Sequence, residues 1–437
     1  MKGLYLCPRY VKPDNYYKAI KVVQKRLHSR GINIDVIVLN KNKKRISKSN
    51  GFTTLKRDRK KSLKKIENKY SFSTRKIMHA ERIQVGRTFD RLLKEKKKTL
   101  PELEKIVRKK KYDFILRSQS TNTEFYFISK ISPFFKFENI VHIHDFFGRT
   151  VFCKEKENAG LKLIKRNISS GEKSDHLLRK IKRGSESRKN ERSDRKYEKN
   201  YELYNRLKKY IYGTLATIGS DTYKSKHEFC RRVDEKYRKK KEYESIPNHE
   251  YAFLPYHKIG ESTLEWRAGP FSNQIFLTEI IARNLPIGNK LVVKEHPNWE
   301  ELYSYEFVKE IASIENVVVV SPNTDVKKII KGASFVTVMN NTTGYEAIAL
   351  GTPVVSFSHS PYLEFDKSVK VRNLYNTDKC LMKAANINTN MSEGKRFIQN
   401  MCKWSSDIQF QAYSMKSKTD AEKKAALFAE SFLKAIA

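Results

Sequence analysis

Lys294, Glu295 and His296 stand side by side in this chain, and Pro297 follows them. A cation, a carboxylate and an imidazole at adjacent positions can hold a phosphate and exchange a proton near neutral pH. A second group is Asn340-Asn341-Thr342-Thr343-Gly344-Tyr345-Glu346. Free backbone N–H groups and hydroxyls at a helix start attract phosphate, and a carboxylate one turn later can accept from ribose hydroxyls. The stretch from Tyr256 to Thr263 adds His257, Glu261 and two hydroxyls. Earlier, Ile140 to Asp145 carries His142, His144 and Asp145, with the two histidines on one side of a strand by alternation. Each group also has an ordinary structural explanation: a strand end with a turn proline, an N-cap, a solvated loop, a packed histidine. No third ligand accompanies His142 and His144, so no metal site is assigned, and the trio His142, His144 and Asp145 is read with His257 as an acceptor-side cluster.

These residues need strand ends to position them. Leu291-Val-Val293 reads as the end of a buried strand that Pro297 stops. Around it, Tyr251–Pro255, Lys290–Lys294, Val317–Val320, Phe335–Met339 and Thr352–Phe357 read as short strands. Between them lie helices over 273–284, 299–313 and 325–332, and one starting at Asn340-Asn-Thr-Thr-Gly. Such alternation predicts a parallel sheet with both faces covered. Ligands of such sheets bind beyond the carboxyl ends of the strands, where all three C-terminal groups fall.

The chain opens in the same style, with a strand over 3–7, a helix over 16–30 capped by Gly31, and a strand over 34–39. Its first turn lacks GxGxxG, so no dinucleotide site is read there. Strands over 113–118 and 140–145 and a helix over 124–131 continue it, and 215–220 reads as another strand. The expected domains are 1–245 and 246–437, with helices over 395–437 in the second. Two basic segments, about 41–111 and 154–210, read as insertions. The first suits basic amphipathic helices that contact an anionic surface or solvent.

The 437 residues allow two or three domains. Formal net charge is +41, which implies polyanionic partners without choosing among nucleic acid, acidic glycan, anionic lipid and nucleotide phosphate. The basic runs carry little aromatic interleaving and no RNP, KH or zinc-finger signature, which disfavours nucleic acid. The five cysteines are scattered without CxxC spacing, so a reducing cytoplasm is expected rather than a disulfide framework. The amino-terminal residues lack the apolar core of a signal peptide, and no run matches a membrane span. Any membrane contact is therefore expected to be peripheral.

The ordered runs Gly260-Glu-Ser-Thr263, Asn273-Gln274, Leu285 to Pro297, Ser321 to Asp325 and Asn341 to Val355 resemble the capsule polysaccharide biosynthesis glycosyltransferases. That family includes the retaining Kdo transferases of bacterial capsules. The resemblance spans about 250–365. It implies an α/β, GT-B-type fold of two facing Rossmann-like doubly wound domains with a central cleft, a nucleotide-sugar donor, and no cofactor or metal. It places His296 and Pro297 at the donor phosphate, with Lys294 beside them, and gives Asn341, Thr342, Thr343, Gly344 and Glu346 to the nucleotide. Glu261 falls on the family's acidic position, as nucleophile or base, although the proline that precedes it in the family pattern is absent here.

The expected function is a glycosyltransferase that moves a sugar from a nucleotide donor, CMP-linked by the resemblance, to a surface polysaccharide or lipid-linked glycan. Its expected place is the cytoplasm, at the inner face of the membrane. Two alternatives stand beside it: a CDP-glycerol or CDP-ribitol polymer phosphotransferase, and a non-enzymatic polyanion or nucleic-acid binding protein.

Overall fold

The computed structural model describes residues 1–8, 14–39, 53–54, 63–85, 89–119, 122–156, 160–168, 174–183, 243–257, 262–296, 305–411, 414–415 and 417–437. The chain divides into two compact units. One holds Met1–Glu81, Phe89–Glu172 and Gln399–Ala437, and the other holds Arg82–Thr88 and Lys173–Ile398.

The first unit is built on β1 (Lys2–Cys7), β2 (Asn33–Val38), β3 (Thr53–Thr54), β4 (Phe114–Ser118), β5 (Glu138–Phe146), β6 (Arg149–Glu155), β7 (Leu161–Leu163) and β14 (Ser405–Ser406). Their order is β14-β6-β5-β4-β1-β2-β3, with β7 on β6. The strands from β5 to β3 pair in parallel, while β6 runs antiparallel to β5, β7 and β14. The helix Asp14–His28 buries Tyr16, Tyr17, Ile20, Val23 and Leu27, which recur at helical spacing. Gly31 ends it at φ +76°, a left-handed conformation that glycine adopts without a Cβ penalty.

The basic segment over 41–111 differs from its expectation. Its described part forms helices Leu63–Tyr70, Thr74–Val85 and Phe89–Lys110. Leu63, Ile66, Ile77, Met78, Leu92, Leu100, Leu103 and Val107 are buried, so these helices are layers of the unit rather than a solvated excursion. Even Lys96 is fully buried. Its Nζ lies 2.7 Å from Glu81 Oε2 and 2.8 Å from Glu124 Oε2. Glu81 Oε2 also accepts from the Thr123 backbone N–H and hydroxyl, and Glu124 Oε1 accepts from Thr99. A charge leaves water only when paired and hydrogen-bonded in this way. The strand expected over 215–220 and the core of the second basic segment lie outside the described residues.

The carboxyl-terminal residues also differ from expectation. β14 pairs with β6, and the helix Lys418–Ile436 buries Ala421, Ala425, Phe428, Ala429 and Phe432 in the core that holds Tyr16, Ile20 and Val23. Residues 399–437 thus return to the first unit, whereas the sequence reading keeps them with the second. An apolar helical stripe specifies that a face is buried and leaves open which sheet it covers.

The second unit is a six-stranded parallel sheet: β8 (Tyr251–Pro255), β9 (Lys290–Lys294), β10 (Val317–Val320), β11 (Phe335–Val338), β12 (Val354–Ser356) and β13 (Ser368–Lys370). The order is β10-β9-β8-β11-β12-β13. The strands read as nearly unbroken apolar runs because helices cover both faces, as expected. The sequence analysis missed β13, too short to show a period. From β8 the chain builds outward to β9 and β10, then returns to β11 on the other side of β8. The order reverses there, and such a switch point opens a crevice at the strands' carboxyl ends. Both units are Rossmann-like in this doubly wound sense. Among the described residues, no helix is long and apolar enough to cross a membrane.

Candidate functional site

Three loops leave the sheet of the second unit at its switch point. The backbone N–H of Tyr256 donates to the Lys294 carbonyl at 2.9 Å, which ties the exit of β8 to the exit of β9. The Asn341 side-chain amide reaches the Pro255 carbonyl at 3.5 Å, which links the exit of β11 to β8. The sequence groups around His257, His296 and Asn341, 84 positions apart at their extremes (341 minus 257), therefore gather at one end of one sheet.

Lys294 closes β9 and is buried, Glu295 is buried, and His296 is half-buried. Glu295 Oε1 accepts from the Tyr243 hydroxyl at 2.8 Å. His257 is buried, and Gln274 clasps its backbone. The Gln274 carbonyl oxygen accepts from the His257 N–H at 2.7 Å, and the Gln274 amide donates to the His257 carbonyl at 3.1 Å. Gln274 can do this because it opens the helix Gln274–Arg283, which Asn273 caps by accepting from the Phe276 N–H.

Beyond β11 the chain turns through Asn340, buried, and Asn341, half-buried. Among the described residues, the Oδ1 atoms of both are buried without a hydrogen-bond partner. A buried amide oxygen of this kind is costly to leave unpaired and marks a place for an incoming donor. Thr342 is exposed, Thr343 half-buried, Gly344 buried, and Glu346 half-buried in the first turn of the helix Thr343–Ala349. Gly344 has a steric role: a Cβ there would lie 2.8 Å from the Tyr362 ring. The carbonyl of Met339, the residue before the turn, accepts from Ser356 at 3.2 Å, Ser358 at 2.5 Å and Tyr362 at 2.5 Å. Three hydroxyls from the β12 exit thereby fix the backbone that presents Asn340 and Asn341. Glu261 and Pro297 lie outside the described residues.

The histidines of β5 take a different place. His142 and His144 share a side of the strand, as alternation requires, with Nδ1 of the first 3.2 Å from Nε2 of the second. Both are buried in the first unit. Tyr16, Tyr5, His142, His144 and Thr150 form one hydrogen-bonded row, at 2.9, 3.2, 3.2 and 3.0 Å. The His142 ring packs against Phe410 and Phe428. Burial lowers the pKa of both, that of His144 to about 3, so both imidazoles are neutral. They stand in the core, His142 without exposed surface and His144 with 8% exposed. Asp145 follows on the same strand. Among the described residues, no three His, Cys, Asp or Glu side chains gather as a metal site.

The sequence analysis names Gln274 only within the Asn273-Gln274 run of the resemblance, without a role, and does not single out Tyr243, Ser356, Ser358 or Tyr362. A glutamine at the start of an apolar helix carries no pattern of its own, and the hydroxyls earn their role only through β12–β11 pairing. The run Ser356-Phe-Ser-His-Ser360 is the signal that was available.

Residues 181–364 match the family model described as capsule polysaccharide biosynthesis protein. The match contains β8, β9, β10, β11 and β12 and extends the resemblance of 250–365 toward the amino terminus. No curated protein matches the chain. Among solved structures, the chain is similar to KpsC, the beta Kdo 2,7 transferase of Thermosulfurimonas dismutans, at 13% identity and a TM-score of 0.32, over 69% of this chain and 88% of that one. It is also similar to the UDP-GlcNAc 2-epimerase of Methanocaldococcus jannaschii, at 12% identity and a TM-score of 0.28, over 92% and 99%. A third is the spinosyn rhamnosyltransferase SpnG, at 9% identity and a TM-score of 0.27, over 92% and 95%.

Proposed function

From residues 181–364, which carry the pattern of the capsule polysaccharide biosynthesis family, we propose that the protein is a glycosyltransferase using a nucleotide-sugar donor bound at the switch point of the second unit. One observation carries the reading. Lys294, His296, Asn340 and Asn341 all lie at the carboxyl ends of β9 and β11, beside β8, where the strand order reverses. A nucleotide suits this corner: His296 and Lys294 hold the phosphate, and the buried Asn340 and Asn341 oxygens accept N–H or O–H groups of base or ribose. Transfer then draws on charge stabilisation. As the sugar–phosphate bond breaks, the leaving phosphate gains negative charge, and a preorganised cation and imidazole lower the energy of that state. Glu261 is the nucleophile or base of this proposal, the donor is CMP-linked, and the acceptor is a surface polysaccharide or lipid-linked glycan. The enzyme works without a metal, in the cytoplasm, with peripheral contact at an anionic membrane.

The test is a thermal-shift panel of CMP, CDP, UMP, UDP and GDP on the intact protein, followed by turnover of the matching nucleotide sugar. A ligand that binds only the folded state raises the midpoint. CMP is expected to raise it, and His296→Ala is expected to reduce that rise and to abolish transfer. No response to any nucleotide, or full transfer by His296→Ala, refutes the proposal. A phosphodiester in the product would replace sugar transfer by polymer phosphotransfer.

A further inference from the structure

The helix Thr123–Phe135 is buried from Thr123 to Ser132 and reaches the surface at its last turn. Pro133 is exposed there, Phe134 is 53% exposed, and Phe135 is half-buried. Lys136 ends the helix in a left-handed conformation at φ +55° and is exposed. A surface phenylalanine is ordinary by itself. Its neighbours set this one apart. The Phe134 ring stands T-shaped to Tyr70 with centroids 4.9 Å apart, and Tyr70 also meets Phe135 at 6.0 Å. Tyr70 closes the helix Leu63–Tyr70, whose buried face is Leu63, Ile66 and Tyr70. The outer face of that helix carries Lys64, Lys65, Asn68 and Lys69, all exposed. Lys69 Nζ lies 4.8 Å from the centroid of the Tyr70 ring. An apolar tip and a basic helix face thus meet at Tyr70.

The acids of this region turn inward. Residues 63–76 and 133–136 hold six cations, Lys64, Lys65, Lys69, Arg75, Lys76 and Lys136, against one carboxylate, Glu67. Glu67 is half-buried and accepts from the backbone N–H and the hydroxyl of Thr74, both at 2.7 Å. Glu104 is buried, and its Oε1 accepts from Lys69 and from the Tyr70 hydroxyl, both at 2.8 Å. An exposed apolar tip rimmed by cations marks an interaction surface. Its chemistry fits an anionic bilayer: the ring enters the headgroup–acyl boundary, and the ammonium groups meet phosphates. Two other occupants fit less well. A second copy would set like charge against like, since a two-fold contact repeats the same face. Single-stranded nucleic acid needs several ring faces for successive bases, and the Tyr70 ring beside Phe134 is buried.

We propose that the last turn of the helix Thr123–Phe135 and the outer face of Leu63–Tyr70 form the surface by which the first unit docks on an anionic lipid bilayer. Pro133 and Phe134 enter the interface, and Lys65 and Lys136 meet headgroup phosphates. Lys69, bound to Glu104, holds the Tyr70 ring that supports Phe134. The inference rests on the peripheral membrane contact of the proposed function and names the residues that make it. It uses no residue of the donor corner.

The probes are vesicles of phosphatidylcholine alone and of phosphatidylcholine mixed with phosphatidylglycerol, added to the intact protein. It is expected to sediment with the mixed vesicles, less so in high salt, and not with phosphatidylcholine alone. Relative to wild type, Phe134→Trp is expected to gain an emission that shifts to the blue on mixed vesicles and is quenched by brominated acyl chains. Ile287→Trp, at a fully exposed turn of the second unit, is the control and is expected to do neither. Phe134→Ser is expected to weaken vesicle binding about tenfold. Lys65→Ser combined with Lys136→Ser is expected to weaken it about tenfold or more. All these variants are expected to keep the nucleotide response. The lysine pair is exposed, so the answer stays readable if Phe134→Ser melts early. Vesicle binding in which Phe134→Trp is not quenched keeps the membrane contact and overturns this surface. No vesicle binding by the intact protein overturns both and leaves the nucleotide test of the donor corner as it stands. A response of Phe134→Trp to a single-stranded oligonucleotide but not to vesicles assigns the face to nucleic acid and overturns the proposal. So does a dimer that Phe134→Ser dissolves.

Discussion

Gln274 holds the loop after β8 by its backbone, and it does so with both ends of one amide. Gln274→Ala leaves a buried N–H and a buried carbonyl of His257 without their partner, at a cost of about 2 kcal/mol in stability. Chemical denaturation should read that loss. If this loop borders the donor, KM for the nucleotide sugar rises more than kcat falls. Gly344 makes a second prediction at this scale. Gly344→Ala forces the Tyr362 ring to shift from a Cβ contact of 2.8 Å, and Tyr362 also donates to the Met339 carbonyl. The expected destabilisation is about 1–3 kcal/mol, with nucleotide binding weakened together with it. Gly344→Ala melting at the wild-type temperature with an unchanged nucleotide shift would contradict the role given to this packing. The places of His296 and Asn341 just beyond strand ends were legible from sequence because apolar runs precede them. The clasp made by Gln274 was not, since its partner is the backbone of a residue 17 positions away, and backbone partners leave no trace in side-chain types.

Elements show the limit of reading charge as exposure. Helices Thr74–Val85, Phe89–Lys110 and Thr123–Phe135 meet over Glu81, Lys96 and Glu124. The sequence analysis treats this stretch as a basic surface. Lys96 is one lysine among many, and only the packing reveals which one has no water. Lys96→Met leaves two buried carboxylates facing one another, and a loss of about 3–5 kcal/mol is expected by urea unfolding. A loss below about 1 kcal/mol, the usual range of exposed pairs, would show that the triad is hydrated. β5 carries a different signal. The folded pKa of His144 is about 3 against 6.5 when unfolded, and that of His142 is also lowered. Between those values the unfolded chain binds more protons than the folded one, so stability rises with pH. The contribution is fully present above about 6.5 and is lost as pH falls toward 3. The melting temperature of His144→Asn, measured from pH 7 to pH 4, should fall less steeply than that of the wild type. Parallel curves would mean that the imidazoles are not what the acid attacks.

At the scale of the whole molecule, the chain does not finish in the unit where it spends residues 173–398. It returns to the first. The sequence analysis draws a boundary near 245 and assigns everything after it to one domain, because local pattern reports faces and periods while long-range pairing reports membership. Five of the six strands of the second sheet, β8 to β12, were legible since each is a short apolar run between helices, and β13 was not. The return was not, since β14 has two residues and the helix Lys418–Ile436 is amphipathic toward any partner. The return has a consequence that separates the units. Phe428 and Phe432 pack on Phe152 and Phe114 of the first sheet, and Phe428 also on His142. Truncation of an aromatic core residue costs about 3–5 kcal/mol, comparable with the whole stability of a small domain. A chain ending at residue 398 is therefore expected to lose the first unit as a folded body. The second unit keeps its six strands and the donor corner, since every described pairing of that sheet lies within 244–370. Limited proteolysis of the truncated chain should digest residues before 173 and spare a fragment over 243–398. That fragment should keep the nucleotide shift of the intact protein while transfer is lost. Protection of the first 172 residues in the truncated chain would show that the carboxyl-terminal helix only decorates a core that stands without it.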